Sequence, residues 1–105
     1  MIQVSVMYPN RKDTQFDMDY YMNSHIPLVH KRLKSKGLIK SEVSHGIGSA
    51  EPGSAAPFIC IANLYFEKLE DFQQGFSAHG KEILADIPNY TNVKPQLQIS
   101  EIVES

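Results

Sequence analysis

The sequence predicts an α+β fold of order β-α-β-β-α-β, closed around a four-stranded antiparallel sheet. Three observations carry this. Residues 2–8 alternate Ile2, Val4, Val6 and Tyr8 against Gln3, Ser5 and Met7, the period of a half-buried strand. Two longer stretches, 18–36 and 69–86, place apolar residues at helical spacing. Between them, Phe58 to Phe66 is apolar on both faces, which marks a central strand covered twice.

The elements follow in order. Pro9 and Asn10 end the first strand, and Asp17 is placed to cap a helix running from Met18 to about Lys36, with Gly37 as its stop. Its inner stripe reads Met18, Tyr21, Met22, His25, Val29 and Leu33. A proline inside a helix costs about 3 kcal/mol unless it lies in a first turn. Pro27 therefore predicts a restart near Ser24, with Ser24 capping the new segment and His25 aimed into an apolar cleft. A second strand follows, with Ile39, Val43, His45 and Ile47 on one face and Lys40, Glu42 and Ser44 on the other; the polar face predicts an edge. A loop of small residues leads to Phe58–Phe66, where Asn63 is the exception to the apolar pattern.

The second helix shows Leu69, Phe72, Phe76, His79 and Ile83 on one stripe and stops before Pro88. In the last strand Val93, Leu97 and Ile99 alternate with polar neighbours, and Pro95 marks an edge or a bulge. This order is the split βαβ, or ferredoxin-like, arrangement with both helices on one face of the sheet. Two helices leave the other face bare although the central strand is apolar there. The expected cover is a second copy of the chain, a homodimer joined through the sheet face.

The 105 residues fit one domain, with no repeat and no linker. A net charge of -2 from mixed signs, with the basic run His30–Lys36 reading as a solvated helix end, argues against nucleic-acid binding. The single cysteine, Cys60, lies between Ile59 and Ile61, which predicts a reduced thiol rather than a nucleophile. No apolar run approaches the ~18 residues of a membrane span, and the N-terminus lacks a leader pattern; the chain reads as cytoplasmic.

Three of the four histidines, His25, His45 and His79, occupy positions expected to be apolar, and His30 groups with lysines. A core histidine is ordinarily structural. His25 differs because Pro27 leaves a backbone acceptor unpaired beside it. Burial there would hold the imidazole neutral, as a general base requires. His25 is therefore the candidate catalytic residue. Tyr8, Tyr20, Tyr21, Tyr65, His45 and His79 are candidate substrate-binding residues around a cleft of apolar walls and few polar tips. The three histidines lack the spacing of a metal site, and there is no phosphate loop, GxGxxG or nucleophile elbow, so neither metal nor cofactor is expected.

The runs FD-x-x-YY-x-x-x-H-x-P-L, at Phe16, Asp17, Tyr20, Tyr21, His25, Pro27 and Leu28, and D-I-P-N-Y-T, Asp86 to Thr91, resemble the EthD family of ethyl tert-butyl ether degradation. Tyr90 stands where phenylalanine is common in that family. The resemblance spans Tyr8 to Pro95 and implies a dimeric α+β barrel with a cleft between helices and sheet in each protomer. It carries His25 over as the motif histidine, while His45 and His79 rest on no equally clear motif. The wider superfamily holds cofactor-free monooxygenases, isomerases, dehydrating enzymes and haem-handling proteins, so the resemblance fixes no reaction. Three readings follow. One is a cofactor-independent enzyme of oxidoreductase, isomerase or dehydratase type, using His25 on a small apolar substrate. Another is a non-catalytic binding or accessory protein of an oxygenase system. A third is haem binding through His25 or His79.

Overall fold

A computed structural model describes all 105 residues. Four strands, β1 (Ile2–Pro9), β2 (Leu38–His45), β3 (Phe58–Phe66) and β4 (Gln96–Glu101), form one sheet in the order β2-β3-β1-β4. Every neighbouring pair is antiparallel. Each helical connection therefore skips a strand, which is the split βαβ arrangement in both halves of the chain. The polar strand β2 and the proline-preceded β4 are edges, where unpaired backbone and a missing donor are tolerated.

Strand parity sorts the two faces. Val4, Val6 and Tyr8 pair with Leu64, Ala62 and Cys60, and all point to the helices. Gln3, Ser5 and Met7 pair with Tyr65, Asn63 and Ile61 on the bare face. At the centre of that face Ser5 Oγ donates to Asn63 Oδ1 at 2.7 Å, and Gln3 Nε2 donates to the same oxygen at 3.0 Å. Asn63 interrupts the apolar run because it is the shared acceptor of this small network. Tyr65 belongs to the bare face too, donating to Glu42 at 2.6 Å.

The first helical run differs from expectation. It does not break and restart: α1 (Met18–Tyr20) passes through a π-helical turn, Tyr21–His25, into α2 (Ile26–Leu33). Asp17 caps the start, accepting from the Tyr20 N–H at 3.0 Å. Ser24 caps nothing and is exposed, because His25 keeps helical angles, φ -72° and ψ -52°. In the wide turn the Ile26 N–H reaches back five residues to the Tyr21 carbonyl. The ladder thus slips by one residue just where Pro27 has no N–H to offer, and Pro27 falls in the first turn of α2. The slip also rotates Met22 off the inner stripe to 42% exposure.

A short 3-10 turn and Gly37 at φ +98° end the run. A bulge between Leu38 and Lys40 buries Leu38 and turns Ile39 outward, against the expected alternation. Ile47 lies beyond β2 in the loop and is 97% exposed. The second helix, α3 (Leu69–Ala85), packs on α2 where Gly75 faces Leu33 and Lys36: a Cβ at Gly75 would stand 3.0 Å from Lys36 Cβ. Val4, Val29, Leu33, Leu64, Phe66, Phe72 and Ile83 fill one half of the core. The other half is built around Tyr8, Tyr21, Cys60 and Tyr90, so the chemistry-bearing residues are concentrated there. No helix is long and apolar enough to cross a membrane.

Candidate functional site

Two segments distant in sequence are laced together beside the π turn. Phe16 and Thr91 form an isolated antiparallel bridge, and the Asp17 N–H donates to the Tyr90 carbonyl at 2.8 Å. Thr91 Oγ1 donates to the Gln15 carbonyl at 2.6 Å, and Asn92 Oδ1 accepts from the Gln15 N–H at 2.8 Å. The lacing brings the start of the first helix against the turn after α3. His25 and Asp86 consequently meet across 61 residues of chain.

The contact is a hydrogen bond of 3.0 Å between His25 Nδ1 and Asp86 Oδ2. The other carboxylate oxygen accepts from Tyr20 OH at 2.7 Å and from Asn89 Nδ2 at 2.9 Å. Burial of Asp86 opposes its charge, but these donors together outweigh it and hold the carboxyl below its ordinary value. Burial of His25 pushes the imidazole below its ordinary value of 6.5, and the raising effect of Asp86 only partly offsets this. The pair is therefore a neutral imidazole beside an ionised carboxylate. Because an ionised carboxylate can only accept, Nδ1 carries the proton, and the lone pair is on Nε2.

Aromatic rings fix the imidazole. Tyr21 stacks on it at 5.4 Å with 17° between planes, and Tyr90 lies against it at 4.7 Å. Tyr90 OH and Tyr8 OH share a hydrogen bond of 2.7 Å. Burial raises all three buried phenols, Tyr8 to about 12, and raises the Cys60 thiol to about 11, so none is ionised near neutral pH. They are hydrogen-bond donors, not bases.

His25, 4% exposed, lines a cavity of about 50 Å³ between helices and sheet, together with Tyr8, Tyr21, Val6, Ala62 and Ile87. Nε2 has no protein partner, and no side-chain nitrogen or oxygen is both sealed from water and unpaired. The free lone pair therefore remains reachable. Phe76, Leu84, Ile87, Pro95 and Leu97 are shared with a broader groove of about 630 Å³ that opens between the end of α3 and the segment before β4.

Of the residues picked from sequence, His25, Tyr8 and Tyr21 come together on the cavity wall, and Tyr20 reaches the site through Asp86. His45, Tyr65 and His79 do not. His45 is exposed at the end of edge strand β2, beyond the helices. Tyr65 points from the opposite face of the sheet, because its parity is that of Ile59 and Ile61. His79 is half-buried on α3 but lines neither the cavity nor the groove. The three histidines do not gather into a set of metal ligands. Asp86 and Tyr90 are functional candidates that periodicity did not single out; their signal was membership of the D-I-P-N-Y-T run.

A ferredoxin-like α+β domain with an Asp–His pair at the end of an apolar cleft is the class these features define. The sequence matches the EthD domain over residues 11–94, and the chain belongs to the EthD family. It is similar to an EthD-like protein from Ralstonia eutropha JMP134, with 37% identity and a TM-score of 0.92 over 98% of this chain and 92% of that one. It is also similar to an EthD family protein from Bacillus halodurans C-125, at 23% identity and a TM-score of 0.69 over 98% and 99% of the two chains. A dimeric ferredoxin-like protein from an uncultured marine organism shares the fold, with 13% identity and a TM-score of 0.62 over 100% and 97%. No curated protein matches the chain.

Proposed function

We propose that the protein is a small enzyme in which His25 abstracts and returns a proton on an apolar, carbonyl- or phenol-bearing substrate. The observation that carries this is the Nδ1–Asp86 bond of 3.0 Å. It holds the proton on Nδ1 and leaves the basic lone pair on Nε2 of a ring that lines the cavity. A base so positioned accelerates proton transfer by ~10²–10⁴-fold, and a conjugate-acid pKa kept below 6.5 leaves it unprotonated at neutral pH. Tyr8 and Tyr21, held neutral by burial, supply hydroxyls to the oxygen on which charge develops once the proton leaves. Removal of a proton next to a carbonyl is the first step of an isomerisation or a dehydration, and removal of a phenol proton gives the electron-rich phenolate that dioxygen, as the oxidant, can attack. All three remain within the reading.

The working unit in this reading is a homodimer through the bare sheet face. Support comes from Met7, Ile59 and Ile61, which stand half-exposed on that face, and from the dimeric state of the ferredoxin-like marine protein. The sheet face is opposite the cavity, so each protomer keeps its own site.

The reading is tested by hydrogen–deuterium exchange at the acidic C–H of aryl-substituted methyl ketones such as 4-phenyl-2-butanone, whose small acyl end precedes an apolar body, followed by NMR in D₂O. The protein should exchange the α-hydrogens well above the buffer rate. His25→Gln, folded by circular dichroism, should return exchange to that background, whereas Tyr65→Phe should retain it. Full exchange by His25→Gln would remove the proposed role, and ligand binding without exchange would leave the non-catalytic reading.

A further inference from the structure

The cavity beside His25 and the groove that shares part of its wall differ in size, and the difference constrains the ligand. The inner cavity, about 50 Å³, is far below the ~150 Å³ of an apolar core cavity that admits benzene. The outer groove, about 630 Å³, is within the ~300–1,000 Å³ of drug-sized ligand sites. A ligand that reaches Nε2 can therefore place only its reactive end inside and must leave its body in the groove. The groove wall is largely apolar, with Phe76, Leu84 and Leu97 exposed or half-exposed there.

The polar side chains of that wall are nearly all committed. Thr91 Oγ1 donates to the Gln15 carbonyl and accepts from the Val93 N–H, and Asn92 spends both ends of its amide on Gln15 and Asp13. The exception is Lys94, which forms no ion pair and is the one charged residue lining the groove. No carboxylate lines either compartment to cancel it.

We infer that the ligand is an apolar organic anion, with its carboxylate or equivalent group at Lys94, its hydrophobic body along the groove and its reactive end at His25. The orientation rests on the reading that His25 is the reacting residue; the binding claim does not. Lys94 is exposed and hydrated, so its charge favours an anion over a neutral ligand of the same shape by a modest margin, and a compact polar substrate would leave the apolar wall wet.

The test uses two fluorescent probes with the same ring system, anionic 1-anilinonaphthalene-8-sulfonate and uncharged N-phenyl-1-naphthylamine, titrated into the intact protein. Lys94→Gln should weaken the anionic probe about three- to five-fold, as expected for one partly solvated charge pair, and leave the neutral probe unchanged. Added salt should erase the difference. Leu84→Glu, at a position that is 43% exposed, with folding checked by circular dichroism, should weaken both probes and the anion more. Tyr65→Phe, on the opposite face of the sheet, should bind both as the parent does, and the readout is binding alone, which separates this test from that of the base. An equal effect of Lys94→Gln on the two probes, or none, overturns the inference. So does undiminished binding of both in Leu84→Glu.

Discussion

Replacing Asp86 with asparagine isolates what the carboxylate contributes. Three donors converge on it: His25 Nδ1, Tyr20 OH and Asn89 Nδ2. An amide offers one oxygen and one NH₂, so it cannot accept from both sides. With its oxygen toward Tyr20 and Asn89 it keeps two bonds, and its NH₂ then faces Nδ1, which must become the acceptor. The proton moves to Nε2, and that nitrogen loses its lone pair. The variant forfeits one charge-assisted hydrogen bond, worth about 1.5–3 kcal/mol in general. Asp86 keeps a side-chain exposure of 15%, and partial solvation lowers this to about 1–2 kcal/mol. For a domain of this size that is a fall in Tm of about 5–15 °C. The carboxylate also raises the His25 pKa, so asparagine should move it further below 6.5. Differential scanning calorimetry reads the first effect, and an NMR titration of the His25 C–H signals reads the second. A variant with the parent's Tm and an unshifted or raised His25 pKa would refute the reasoning.

Other expectations follow from the same geometry. His25 has a folded-state pKa below its unfolded value of 6.5, so the unfolded chain binds the extra proton first on acidification. Its stabilisation is complete above pH 6.5 and is lost as pH falls from there through the folded-state value. Urea unfolding between pH 7.5 and 5 should show this loss, and His25→Gln should flatten that part of the profile. Cys60 is 0% exposed and its thiol is raised to about 11, so 5,5′-dithiobis(2-nitrobenzoate) at pH 8 should react only after unfolding; reaction within the mixing time would contradict its place in the core. Gly37 sits at φ +98° with Asp71 Cβ 2.9 Å from where its own Cβ would be, so Gly37→Ala should destabilise by about 1–2 kcal/mol in urea titrations. A neutral result there would show that the helix can end differently.

The fold was legible because most elements keep a clear period, the bulged β2 and the π turn being the exceptions. Parity along β1 and β3 and the stripes of the helices are enough to order the six main elements and to leave one sheet face bare. The site was legible only in part. Pro27 correctly marked an irregularity at His25, but a π turn and a capped restart leave the same trace in sequence; only backbone geometry distinguishes a ladder that slips from one that breaks. Asp86 resembled an ordinary acidic residue at a helix end, since nothing local announces a partner 61 residues away. Tyr65 shows the reverse case: its parity with Ile59 and Ile61 already placed it off the helix face, and an expected hydroxyl role outweighed that rule. His45 and His79 follow apolar periodicity, yet one is exposed at the last position of edge strand β2 and the other is on α3 away from both the cavity and the groove.

The most direct test is the protonation state of one ring. Long-range ¹H–¹⁵N correlation spectra of the ¹⁵N-histidine-labelled protein at pH 7.5 distinguish which nitrogen of His25 carries hydrogen. A neutral ring protonated at Nδ1, with Nε2 bare, is the predicted result. A ring protonated at Nε2, or one carrying both protons at that pH, would contradict the base at the heart of the account.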